Sequence, residues 1–210
     1  MSDTQQGASA PVGLTVDEVF STIGYSGFVK SLFNSSGSQR DDFIHAALGV
    51  ATEVHEAQIA TDFTNLIEEI GDCQFYAEAL RQVVGDPAGN EDVRMARAAL
   101  EAPDAVVAAG YAAVARFAAT ELLDMAKRWV GYGKEPTEGQ KRLAVDYANL
   151  ALIRILPDEF AGAAAPSQKD VQRVNVAKLL KRYNGIHFSA ERALNRDLPA
   201  ERATLEHAAG

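Results

Sequence analysis

Two acidic pairs of identical spacing, Glu53-Val54-His55-Glu56 and Glu69-Ile70-Gly71-Asp72, stand twelve residues apart. Residues three apart on a helix share a face, so each pair can aim two carboxylates at one point. Two such helices, antiparallel across a tight turn near Thr61-Asp62, would bring four carboxylates together. That is a hard-oxygen cage suited to Mg²⁺ or Mn²⁺. Without a cation the four would repel one another, and some would be forced to hold protons. Farther along, Asn175, Lys178 and Arg182 recur at three and four and so share a helix face. They could hold phosphate oxygens, Arg182 bidentately, although a solvated basic face would show the same spacing.

The faces that carry these acids decide between a site and an ordinary surface. On the second helix, Leu66, Glu69, Asp72, Tyr76, Leu80 and Val83 form one row, apolar apart from the two acids and expected to face the core. Glu68 and Glu78 fall on the opposite, mostly polar row and read as surface acids. On the first helix, Ala46, Gly49, Glu53, Glu56 and Ala60 share a row whose small residues let another helix or a ligand come close. Unpaired buried carboxylates are expensive, so a row of this kind calls for a cation or for basic partners from another helix.

Apolar residues recur at three and four throughout, and no segment alternates as a strand would. The chain is therefore expected to be an all-α helical bundle. Thr15-Val16-Asp17-Glu18 is a capping box opening a short first helix. Gly24 to Ser38, rich in Gly and Ser, reads as loop. Helices follow from about Arg40 to Ala60, Asp62 to Val84, Glu91 to Glu101, Asp104 to Val130, Thr137 to Leu156, and Ser167 to Tyr183. Asp158 to Ser167 reads as an Ala/Gly linker, and Ser189 to Ala208 as a charged, mostly exposed helical stretch that Pro199 would interrupt. Residues 1–13 read as a flexible tail before a single domain over 14–208, with the acidic half at about 40–84 and a basic helix and tail at 167–208.

The segments from Ala47 to Glu56 and from Asn65 to Tyr76 resemble the MazG-like nucleotide pyrophosphohydrolases of phage and bacterial type. These belong to the all-α NTP pyrophosphatase superfamily, whose signature is a Glu-x-x-Glu pair, a spacer and a Glu-x-x-Asp pair. Glu68-Glu69-Ile70-Gly71-Asp72 with Tyr76 is close to the family's second helix. Thr52 stands where many members carry an additional Glu. Asn175 to Tyr183 and Phe188 to Asp197 are similar to the family's C-terminal end, so the resemblance covers roughly residues 43–84 and 168–206. It implies a bundle of the all-α NTP pyrophosphatase type and Mg²⁺, or Mn²⁺, held by Glu53, Glu56, Glu69 and Asp72. It also implies hydrolysis of a nucleoside triphosphate, such as a dNTP or a modified nucleotide, to the monophosphate and pyrophosphate. Glu53 and Glu56 would be the candidates for the catalytic base, and Asn175, Lys178, Arg182 and Tyr183 would contact the substrate. An alarmone such as ppGpp would also fit the family, and a nucleotide-binding or regulatory module without turnover is the alternative.

Between the two matched regions, at about 104–156, lies a candidate second copy. Ala119-Thr120-Glu121-Leu122-Leu123-Asp124 echoes Ala51 to Glu56, and Asp146-Tyr147-Ala148-Asn149 sits where a second Glu-x-x-Asp would fall. Asn149 is neutral, so the copy should hold a metal less well. The degraded half could supply substrate contacts through Lys127, Trp129 and Tyr132, making the chain an internal pseudo-dimer. Ala-rich amphipathic helices also resemble one another by chance, and approximate two-fold symmetry would separate the two readings. Family members usually build their sites from two subunits, so a homodimer is the other arrangement expected.

Composition narrows the partners. The formal net charge of −9 argues against binding a phosphate backbone. The single cysteine, Cys73, excludes an internal disulfide and reads as core. No apolar run approaches a membrane span, the start lacks the pattern of a secretory signal, and a cytoplasmic protein is expected. The four histidines are scattered without a zinc spacing, and no Gly-x-x-x-x-Gly-Lys phosphate loop is present.

Overall fold

A computed structural model describes residues 13–85, 102–155 and 167–209. Among them are ten helices and no strand: α1 (Val16–Thr22), α2 (Gly24–Leu32), α3 (Gln39–Gln58), α4 (Phe63–Val84), α5 (Asp104–Ala108), α6 (Tyr111–Tyr132), α7 (Glu138–Arg154), α8 (Gln168–Tyr183), α9 (Ala190–Leu194) and α10 (Leu198–Ala209). The chain is all-helical in these residues, as expected. None of the helices is long and apolar enough to cross a membrane.

The ends of the helices follow from local chemistry. The Thr15 hydroxyl accepts from the backbone N–H of Glu18, whose carboxylate accepts from Thr15 in return, completing the expected capping box. Ser38, Asp62, Thr137 and Ser167 cap α3, α4, α7 and α8 in the same way, each satisfying a donor that the first helical turn leaves free. The chain leaves α8 through Asn184, which adopts the left-handed conformation at φ 52°.

Helices α3 and α4 form a hairpin closed by the short turn at residues 59–62, and α6 and α7 form a second hairpin. The hairpins pack with α3 on α6 and α4 on α7. Helix α8 lies on α4, and α10 covers α8 and touches α4. One continuous core joins the hairpins and α8, with Phe28, Phe43, Leu66, Leu80, Leu122 and Ile155 fully buried, and a smaller cluster of Ile67, Val174 and Leu205 seats α10.

Three expectations are corrected. Residues 24–32 are helix rather than loop: Tyr25, Phe28, Val29 and Leu32 recur at i, i+3, i+4 and i+7, and all are buried. Burial of that stripe outweighs the helix cost of two glycines. The single helix expected from Asp104 is split into α5 and α6 at Gly110, whose φ of 96° few side chains tolerate. The C-terminal stretch breaks at residues 195–197, not at Pro199. That proline sits second in α10, where its missing N–H costs nothing. Helix α10 is not wholly exposed either, since Glu201 and Leu205 are buried. The helix expected over Glu91–Glu101, the linker of residues 158–166 and the tail of residues 1–12 lie outside the described residues.

Candidate metal centre

The hairpin turn sets α3 beside α4 so that Glu53 meets Glu69 and Asp72. One oxygen from each of these three carboxylates lies within 4.8 Å of the others, the one such acidic group among the described residues. Two glycines permit this closeness. A Cβ on Gly49 would sit 2.2 Å from Tyr76 Cγ, so the Tyr76 ring rests against bare backbone of α3. A Cβ on Gly71 would come within 3.0 Å of Asn175 Cβ, so α8 can approach α4 and deliver Asn175 and Lys178 to the acids.

The electrostatics reflect burial first and the crowding of acids second. Burial and the neighbouring charge of Asp72 push Glu53 up to about 9 and Glu69 up to about 7. Glu53 and Glu69 hydrogen-bond each other, with the protonated Glu53 as donor. The Asn65 side-chain amide also donates to Glu69, at 2.7 Å. Tyr76 and Cys73 are held neutral, chiefly by burial and then by the nearby carboxylates.

Opposing charge comes from α8. Lys178, with 0% exposure, donates to Asp72 at 2.5 Å and to Glu68 at 3.3 Å. Asn175 donates to the other oxygen of Asp72 at 2.7 Å, and its own Oδ1 accepts from the Tyr25 hydroxyl at 3.4 Å. A second tier surrounds Glu201, which accepts from Arg182 at 2.7 Å and from Arg196 at 2.7 Å. Arg196 also lies 3.7 Å from Glu68.

Beside Asp72 opens a cleft of about 90 Å³. Phe33, His45, Tyr76, Arg182, Tyr183 and Phe188 are among its lining residues. Phe33 stacks on His45 with ring centroids 4.8 Å apart, and Tyr183 lies 5.6 Å from Phe188. The cleft thus offers flat aromatic surface, a guanidinium and the edge of the acid cluster within one small space.

The structure brings together three of the four expected carboxylates. Glu56 is exposed on the last turn of α3 and lies outside the group. Lys178 and Asn175 are buried against Asp72, so their first partners are acids of this chain rather than a ligand. Arg182 and Tyr183 do line the cleft, whereas Lys127 and Tyr132 are exposed on α6 and do not. Glu68 and Glu78 are not the surface acids expected. The side chain of Glu68 is 17% exposed and paired with Lys178, and that of Glu78 is 16% exposed and paired with Arg81. Both face neighbouring helices because α4 is covered on more than one side, by α3, α7 and α8. Sequence reasoning missed Asn65, Tyr25 and Glu201. Only Asn65 carried a signal, standing four residues before Glu69 on the same helix.

The donor set fits a divalent cation. Three converging carboxylates, two of them pushed above their ordinary range, would when ionised carry more negative charge than Lys178 alone offsets. Compared with protein-family models, curated proteins and solved structures, the chain matches none.

Proposed function

We propose that this chain is a Mg²⁺-dependent nucleotide pyrophosphohydrolase, which adds water to a nucleoside triphosphate and releases the monophosphate and pyrophosphate. The observation that carries the reading is the convergence of Glu53, Glu69 and Asp72 beside an aromatic cleft that holds Arg182. The resemblance of residues 43–84 and 168–206 to MazG-like proteins supports it.

Glu53, Glu69 and Asp72 would hold Mg²⁺, or Mn²⁺ in its place, which when bound neutralises triphosphate oxygens and makes the α-phosphorus open to attack by water. Asp72 is held in place by Asn175 and Lys178, so two of its lone pairs are spoken for and its remaining capacity faces the cleft edge. Glu53, whose carboxyl is raised by burial and by Asp72, would when ionised serve as a cation ligand and as the base of the reaction. Exposed Glu56, one turn from Glu53, would pass a proton to solvent. Arg182 and Tyr183 would hold the leaving pyrophosphate, and the Phe33–His45 stack with Tyr76 would hold a planar base.

The packing of α3 on α6 and of α4 on α7 is the pairing an internal pseudo-dimer would have, first helix on first and second on second. In that reading a single chain suffices for a site.

One observation favours a second reading. The buried Lys178–Asp72 pair already neutralises one carboxylate, as a module without turnover would require. Incubating the purified protein with canonical and modified nucleoside triphosphates, with Mg²⁺ and then with EDTA, separates the two. Monophosphate plus pyrophosphate, abolished by EDTA, supports the hydrolase. No cleavage with Mg²⁺ or Mn²⁺, or release of single phosphates, overturns it.

A further inference from the structure

A second cleft lies away from the acid cluster, on the reverse face of α4. At 3.6 residues per turn, Gln74, Ala77, Glu78 and Arg81 fall on the side of α4 turned from Asp72, Phe75 and Tyr76. With α2, α7 and α8 they enclose about 250 Å³. Its lining differs in kind from the first cleft. Four residues with side-chain amides line it, Gln74 on α4, Asn149 on α7, and Gln168 and Gln172 on α8, together with Tyr25 of α2. Among the described lining residues only Glu78 and Arg81 are charged, and they pair with each other at 2.6 Å.

Gln74 supplies the second observation. It is 4% exposed, and its Oε1 is buried without a hydrogen-bond partner among the described residues. A buried acceptor left unpaired costs about 1–3 kcal/mol, and so few are left in folded proteins that each calls for an explanation. A ligand that donates to Gln74 would remove that cost.

Asn and Gln amides present a donor and an acceptor side by side, the arrangement that matches the edge of a nucleobase. Four of them around a space too small for a dinucleotide, with no uncompensated charge among the described lining residues to attract phosphate, define the occupant. We infer that this cleft is a binding site for an uncharged nucleoside, recognised through the edge of its base by Gln74 and Asn149, with Gln168 and Gln172 at the mouth. Asn149 stands where the repeat pattern predicts an acid, and neutrality there is what a base-reading site needs.

The inference is independent of the hydrolase reading and is tested without it. Isothermal titration of the full chain in EDTA, with adenosine, guanosine, cytidine and thymidine in turn, should show one-to-one binding of at least one nucleoside. Ribose alone should not bind, and the 5′-monophosphate should bind no tighter. Gln74→Leu and, separately, Asn149→Leu should weaken binding by about tenfold or more, as loss of a polar contact to a matched group does. Gln74→Leu should melt at or above the wild-type temperature, which shows that the loss is not unfolding. No binding of any nucleoside at millimolar concentration would overturn the inference, as would ribose binding equally well. Binding that survives both substitutions but is lost in His45→Ala would assign the nucleoside to the first cleft and also overturn it. Triphosphate hydrolysis without nucleoside binding would sink this inference alone, and nucleoside binding without hydrolysis would sink only the reading of the acid cluster.

Discussion

The two hairpins carry related patterns of acids, the second with a 21-residue spacer and with Asn149 in place of the last acid, and put them to different ends. In α3–α4, none of Glu53, Glu69 and Asp72 has a basic residue three or four positions away, and the carboxylates turn toward one another until Lys178 arrives from α8. In α6–α7, Asp124 is paired with Arg128 one turn along its own helix, and Asp146 is buried apart from any acidic group of three among the described residues. The backbones differ too. Gly49 admits the Tyr76 ring against α3, whereas Phe117 stands at the equivalent place on α6 and packs on Tyr147. Spacing alone therefore does not gather carboxylates. They converge where no local base satisfies them and where small residues let the helices close.

The largest expected consequence concerns how each hairpin is neutralised. Lys178 is wholly buried, and removing one partner of a buried ion pair leaves an uncompensated charge that costs about 3–5 kcal/mol. Lys178→Met in EDTA should lower the urea midpoint accordingly, and Mg²⁺ should restore part of the loss by supplying a cation to Asp72. Equal midpoints for variant and wild type in EDTA would mean that Lys178 does not stabilise the acid cluster, and the contrast between the hairpins would collapse.

Turnover should divide the hairpins next. Asp72→Ala should lower the rate of triphosphate cleavage by about 100-fold or more, the size seen when a group that stabilises developing charge is lost. Asp124→Ala, on the second hairpin, should leave it unchanged. Both rates are read by pyrophosphate release on proteins shown to be folded by circular dichroism. Equal losses would make the second hairpin part of the same machinery.

Much of this contrast was legible in the sequence. The spacing of Glu53, Glu69 and Asp72, and the apolar row behind the last two, placed them on facing helices, and caps such as Asp62 and Ser167 fixed where those helices begin. What stayed hidden depends on distant packing. Nothing local to Glu68 shows that α8 and Arg196 will enclose it, so its polar row read as surface. The apolar stripe of α2 was masked by glycines and serines, and with it the Tyr25 hydroxyl that reaches Asn175. Glu56 shares its spacing with Glu53, but the end of α3 turns it to solvent.

Acidity separates the hairpins by a smaller margin. Glu53 and Glu69 are raised in the folded chain by burial and by Asp72, to about 9 and about 7, so folding favours their protonated forms. Their contribution is fully present below the ordinary carboxylate range and is lost as pH rises through 7 and then 9. Metal-free protein should thus melt at progressively lower temperature between about pH 5 and pH 9. Because binding a cation releases protons, the stabilisation given by Mg²⁺ should grow over the same range. A flat melting profile in EDTA, or a Mg²⁺ effect that shrinks with pH, would contradict a cluster that holds its own protons.

The smallest effect tests the second hairpin's side of the contrast. Arg128 and Asp124 are an i,i+4 pair with side chains 55% and 33% exposed. Solvent screening and side-chain entropy hold such pairs to about 0.3–0.5 kcal/mol. Arg128→Ala should therefore shift the urea midpoint barely beyond error, and raising the ionic strength should erase even that difference. The measurement is informative beside Lys178→Met, because each variant removes one cation from one carboxylate. A loss in Arg128→Ala as large as that in Lys178→Met would mean that Asp124 is not neutralised locally, and that the second hairpin has kept an acid needing a cation of its own.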